Sequence, residues 1–160
     1  MKNMQQLMFR SKNWKDVTPR TKKMHELLST NSSCAVADIE TTGLSPLKGG
    51  KIIEIAGVKM VNGEIISRFH ELIDPEVKIG SKTTNLTGIT NEMVKGKRKI
   101  HQVLPDFYNW LGNVPFIAHN AMFDWDRFLL FELNKVGIKA TNPVICSAAL
   151  AKFYLADLPK

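Results

Sequence analysis

Cys34-Ala35-Val36-Ala37-Asp38-Ile39-Glu40-Thr41-Thr42-Gly43-Leu44 decides how the remainder of the chain is read. A short apolar run leads into two carboxylates two residues apart, and a glycine turn follows. Side chains of a strand alternate between faces, so Asp38 and Glu40 point to the same side. Two carboxylates held that close repel each other, and neither ionises easily without a counter-charge. A divalent cation relieves that repulsion, and an all-oxygen donor set suits Mg²⁺ or Mn²⁺. Taken alone, an Asp-x-Glu is more often a strand end carrying two solvated acids. The flanking sequence has to separate the two readings.

Downstream, Gly43 to Gly50 reads as a loop broken by Pro46 and Gly49-Gly50. A second strand is expected over 51–60 and a third over 64–73, joined by Asn62-Gly63, a strong two-residue hairpin turn. These pieces form an antiparallel meander, which Asp74-Pro75 stops. Residues 76–89 read as a long loop containing Leu86-Thr87-Gly88-Ile89-Thr90, after which Thr90 or Asn91 caps a short helix with Met93 and Val94. Past the basic cluster Lys95, Lys97, Arg98 and Lys99, the spacing of Val103, Leu104, Phe107 and Leu111 predicts a helix over 101–111. A fourth strand over 114–118 and a helix over 121–135 follow, the latter closed by Gly137. A fifth strand over 143–146 leads into a last helix over 148–155, with Ser147 as its cap. Upstream, Thr18-Pro19 starts a short helix with Met24, Leu27 and Leu28 on one face. Three strands in a meander, then helix–strand–helix–strand–helix, make an α/β fold with a mixed five-stranded sheet, two of its strands parallel. Ligands of such sheets bind where the parallel strands end.

At 160 residues the chain suffices for one domain with a real core. Of the formal net charge of +7, five units lie in residues 1–33, where seven Lys and Arg face two acids. Such an arm suits a polyanion, and it is also a common solubilising terminus. No apolar run reaches the length of a membrane span, and the first residues lack the continuous apolar core of a signal peptide. Cys34 and Cys146 read as buried thiols, which points to a reducing, cytoplasmic setting.

A second constellation lies at Ile117-Ala118-His119-Asn120-Ala121-Met122-Phe123-Asp124. Each member has a local reading: Asn120 as a helix cap, Asp124 as an acid favouring a helix N-terminus, His119 as a hydrogen-bonded strand end. If the fourth strand lies beside the first, however, Asp124 projects over the edge where Asp38 and Glu40 emerge. Three carboxylates then converge on one point.

The pair of segments Asp38-Ile39-Glu40-Thr41-Thr42-Gly43 and His119-Asn120-Ala121-Met122-Phe123-Asp124 resembles the first two motifs of the DnaQ-like (DEDD) 3′–5′ exonucleases. Ile52-Ile53-Glu54-Ile55, Leu86-Thr87-Gly88-Ile89-Thr90 and Thr141-Asn142-Pro143-Val144-Ile145 are similar to the exonuclease domain of PolC-type bacterial DNA polymerase III. The resemblance implies a ribonuclease H-like sheet and two-metal hydrolysis of a terminal phosphodiester, with Mg²⁺ or Mn²⁺ held by Asp38, Glu40 and Asp124. It implies that Thr41, Thr42 and Gly43 line the 3′-terminal nucleotide and that Leu44 packs on its base as an apolar wedge. Thr87 and Ile89 would belong to a loop over that nucleotide, and His119 and Asn120 would support the pocket. The implied partners are a single-stranded 3′ end and a polymerase.

The family also carries a third motif, a histidine followed five residues later by an aspartate. No histidine follows His119 here. The expected organisation is therefore a basic extension with a short helix, 1–33, and an exonuclease domain, 34–160, truncated at its C-terminal side and lacking the third motif. Its exposed edge would recruit a completing chain or a second copy of itself. The alternative is a non-cleaving module that grips single-stranded 3′ ends, or an assembly protein. Asp124 and Phe128 lie four apart where many relatives have three, and Cys146 stands where relatives commonly carry Asp.

Overall fold

Alternation of small apolar and polar residues places the first strand, β1 (Ser33–Thr41): Ala35, Ala37 and Ile39 are buried, while Val36 and Asp38 stay exposed. The structure is a computed structural model and describes Glu26 and residues 32–154; the expected helix after Thr18-Pro19 otherwise lies outside the described residues. β2 (Ile52–Val61) pairs antiparallel with β1, and β3 (Glu64–Leu72) antiparallel with β2. The turn between them has φ of 52° at Asn62 and 85° at Gly63, the left-handed pair that a two-residue hairpin demands. β4 (Phe116–Ala118) lies parallel beside β1 and β5 (Val144–Cys146) parallel beside β4, giving the order β3-β2-β1-β4-β5. The expected mixed five-stranded α/β sheet is present.

One helix escapes the sequence reading. α1 (Ser81–Thr87) falls where a loop is expected, because Ser-Lys-Thr-Thr-Asn-Leu-Thr is poor in helix formers and buries none of its residues. It ends on Gly88, at φ 77°, whose N–H donates to the Thr84 carbonyl. α2 (Asn91–Val94) is capped as expected, the Thr90 hydroxyl accepting from the Met93 N–H. α3 (Ile100–Leu111) buries Val103, Leu104, Phe107 and Leu111. A π-helical stretch, Met122–Leu129, runs into α4 (Leu130–Lys135), and α5 (Ser147–Tyr154) follows β5 directly. Ser147 is the first residue of α5 rather than its cap: its hydroxyl reaches His119 Nδ1 and the Ala118 carbonyl instead.

The main core joins Ala35, Ala37 and Ile39 of β1 to the apolar faces of α3, the π-helical stretch and α4. A second cluster of Ile53, Ile79, Ile89 and Val94 closes the other end under Leu72. On the opposite face of β1, Val36, Val58 and Ile117 line an open cleft of about 410 Å³ that Asp38 and His119 also border. Among the described residues no helix is long and apolar enough to cross a membrane.

Gly57 holds α3 against the sheet. It lies opposite Ala37 in the ladder, and a Cβ there would sit 2.9 Å from both the Ala37 Cβ and the Trp110 ring. The indole cannot retreat freely, since its Nε1 donates to Ser67 Oγ at 2.9 Å and its ring lies 5.5 Å from that of Phe69. Gly57→Ala should cost about 2 kcal/mol by overpacking. Urea unfolding followed by circular dichroism checks this, and an unchanged midpoint refutes it.

Candidate active site

The π-helical stretch delivers Asp124 to the end of β1. Asp124 is 2% exposed, and its Oδ1 accepts the Ile39 backbone N–H at 3.3 Å, tying the helix to the strand across 85 residues of sequence. Asp38, one residue before Ile39, faces it there, close enough for each carboxyl to shift the other. Burial, and then the charge of Asp38, push Asp124 up to about 6, against the opposing pull of the Ile39 N–H. Asp38 is also raised by burial, with Glu54 adding to the effect, but the Asp124 side chain and the charge of His119 act the other way. Of the two, Asp124 is the carboxyl pushed up the more strongly.

Glu40 shares the face of Asp38. Its carboxyl is raised by burial, then by the charges of Asp38 and Glu54. Among the described residues no three His, Cys, Asp or Glu side chains stand together as a metal cage. The expected convergence of three carboxylates does not form a cage of three; Asp38 acts electrostatically on both Asp124 and Glu40. A further acid, Glu54, lies directly opposite Glu40 in the ladder and contacts His70 Nε2 at 2.7 Å. Sequence reasoning quotes Glu54 but gives it no place at the site. The signal was present: a lone acid between Ile53 and Ile55, across the hairpin from Asp-x-Glu.

The donor set suits a hard divalent cation. Mg²⁺ typically takes one or two protein carboxylates and completes its shell with water and substrate phosphate oxygens. Two carboxyl groups raised by burial, with Glu40 raised beside them, match that habit.

The turn after β1 is pinned at its base. The Thr42 N–H donates to the Lys51 carbonyl at 2.8 Å, and the Lys51 N–H donates to Thr42 Oγ1 at 2.9 Å. Thr41 Oγ1 donates to the Gly43 carbonyl at 2.8 Å. Gly50 is the glycine this turn needs: a Cβ there would lie 2.8 Å from the Ser45 carbonyl oxygen. A Cβ on Gly43 would meet only Gly50 Cα, at an ordinary 3.6 Å, so the protein's own packing does not require that glycine. Leu44 is 77% exposed at the tip.

The other expected site residues are placed as follows. Thr87 Oγ1 donates to the Thr83 carbonyl and accepts the Ile89 N–H, and Thr83 Oγ1 reaches the Thr42 carbonyl at 3.4 Å, which links α1 to the turn. Ile89 is 3% exposed, packed in the second core cluster. His119 is exposed, its Nδ1 3.2 Å from Ser147 Oγ. Asn120 does not cap the helix with its side chain; its φ of 62° turns the chain from β4 into the helix, a conformation Asn tolerates well. Cys146 sits at the start of α5. Burial raises its thiol, but the backbone N–H groups of Ala149, Ala121, Asn120 and Ala148 outweigh this and lower it overall.

The segment between Asp124 and Phe128 is wound as a π-helix. The Leu130 N–H donates to the Trp125 carbonyl, five residues back, as a π-helix requires. Both Asp124 and Phe128 are buried, and Trp125 between them stacks 4.5 Å from Phe116 of β4.

The fold and the paired carboxyl groups define an α/β domain with an acidic site where its parallel strands end, and comparison with known proteins gives its family. The chain belongs to the RNase_T family of exonucleases, whose model matches residues 35–160. It is 48% identical over 130 residues to the PolC-type DNA polymerase III of Listeria innocua, and 44% identical over 126 residues to that of Thermotoga petrophila. These matches cover 81% and 78% of this chain but 9% of each polymerase, so the chain spans about a tenth of the relatives' length. Among solved structures, exonuclease X in complex with 5′ overhanging duplex DNA is 30% identical, with a TM-score of 0.60 over 79% of this chain and 66% of that one. The nuclease domain of 3′hExo bound to rAMP, 22% identical with a TM-score of 0.58, shares the fold over 69% of this chain and 62% of its own.

Proposed function

We propose that this chain is a metal-dependent 3′–5′ exonuclease domain of the proofreading type, acting on the single-stranded 3′ end of DNA beside a PolC-like polymerase. The observation that carries the reading is the buried Asp124 carboxyl tied to the Ile39 N–H at the end of β1, beside Asp38. Asp38 and Asp124 hold the divalent cation, Mg²⁺ or Mn²⁺, with Glu40 supplying a further oxygen or orienting the attacking water. When bound, the cation polarises the scissile phosphate and makes a water a better nucleophile at neutral pH. Thr41, Thr42 and Gly43 receive the terminal nucleotide, and Leu44, exposed and apolar, packs on its base. Thr87 and the Ile89 turn stand over that pocket, with Ile89 anchoring the turn from inside. His119 and Asn120 support it from the end of β4. The open face formed by Val36, Val58 and Ile117 offers a seat for a partner chain, a second copy included.

The test is a labelled single-stranded oligonucleotide incubated with the pure chain and Mn²⁺. Shortening from the 3′ end is expected, with loss of the activity in EDTA and in Asp38→Ala. Cleavage that survives the substitution, or retained binding with no cleavage, overturns the reading.

A further inference from the structure

We propose that Arg127 is a positioning residue, which locks the tip of the Leu44 turn onto the helix that carries Asp124. The inference rests on the nucleotide-binding role proposed above for that turn. Arg127 Nη1 donates to the Leu44 carbonyl at 3.0 Å, bridging segments 83 residues apart in sequence. Its guanidinium lies 5.8 Å from the centre of the Phe123 ring, which fixes the direction of the side chain.

The base of the turn is held by its own backbone. The Lys48 and Gly50 N–H groups donate to the Ser45 carbonyl and that of Gly49 to the Pro46 carbonyl, in addition to the Thr42–Lys51 pair. The tip is different: among the described residues the Leu44 carbonyl accepts from Arg127 alone. Between turn and helix lies a cleft of about 420 Å³, bordered by Thr42, Gly43, Leu44, Ser45, Lys48 and Arg127. Without the clamp the wedge can swing into that cleft.

Arg127 lies three residues beyond Asp124, inside the wide π turn. One side of the helix therefore places the buried carboxylate, and the next residues grip the turn that holds the nucleotide. The clamp fixes the distance between the two halves of the site. A charged fork is suited to this, since one of its five N–H donors holds the carbonyl while the guanidinium plane stays over the ring.

The experiment compares the full chain with Arg127→Ala, Arg127→Lys, Leu44→Ala and the Arg127→Ala/Leu44→Ala double variant. Backbone order parameters at Leu44 and Ser45, read by NMR relaxation, should fall below about 0.6 in Arg127→Ala, while exchange at the Lys48, Gly49 and Gly50 amides of the self-held base and the melting midpoint change little. In the oligonucleotide assay KM should rise about tenfold with kcat within about twofold, and Arg127→Lys should recover most of the loss. The double variant should lose no more than Leu44→Ala, because the clamp acts through the wedge. Unchanged order parameters at Leu44 overturn the proposal. So do losses that multiply in the double variant, or a salt dependence that falls by about one unit of slope, which marks a direct phosphate contact. If the unaltered chain cleaves nothing, the exonuclease reading fails by itself, and the order parameters still decide whether the clamp exists.

Discussion

Asp124→Asn is expected to abolish hydrolysis and to make the metal-free protein more stable. Asn keeps an oxygen for the Ile39 N–H and fills the same space, so the tie between helix and β1 survives. It removes a charge that burial and Asp38 both oppose, the causes that lift the Asp124 carboxyl to about 6. Because the folded-state value lies above the unfolded one, this group favours folding at pH below about 4. That contribution is lost as the pH rises through about 6. At pH 8 the loss is complete in the unaltered chain and absent in the variant. The gain there should be about 2 kcal/mol, or roughly 6 °C in the midpoint. Activity should fall about 10³-fold or more, since a cation ligand is gone. Mg²⁺ should raise the midpoint of the unaltered chain at pH 8 far more than that of the variant. A variant less stable than its parent at pH 8 would show that Asp124 serves folding rather than chemistry.

Phe107→Ala should bring the largest loss of stability. Phe107 is fully buried, edge-on to Phe69 at 5.4 Å and 5.9 Å from Trp110, at the centre of the packing between α3 and the sheet. Removing the ring leaves a cavity that Gly57 and the anchored Trp110 cannot collapse to fill. The expected cost is about 4 kcal/mol, a large part of a total of order 5–15 kcal/mol. Activity should disappear at 37 °C and return on cooling, following the folded fraction. Urea unfolding measures the difference; a loss below about 1 kcal/mol would mean that the site collapses freely.

The strands were legible because their apolar residues alternate or run together between strong breakers. Ala35, Ala37 and Ile39 announce the buried face of β1, and Asn62-Gly63 announces the hairpin. α1 was not legible: a helix with no buried residue leaves no period, and its three threonines argue against it. The site was half legible. The two motifs and the β1–β4 adjacency bring Asp38 and Asp124 together, and sequence sets no distance at which Glu40 stops short of them. The partners of polar side chains were the least accessible part. Thr42, Thr87 and Ser147 spend their hydroxyls on backbone or on His119, contacts that only the folded chain selects. Glu54 belongs to the acidic edge through the register of two strands, which its own neighbours do not encode.

The π-helical stretch has a consequence for how this segment tolerates a change of length. A helix that gains or loses one residue ordinarily turns everything beyond it by about 100°. A π turn holds one residue more than an α turn, and here it lies between Asp124, anchored to Ile39, and Phe128, sunk in the core. Removing one residue from it would return the turn to α-helical winding with both anchors kept.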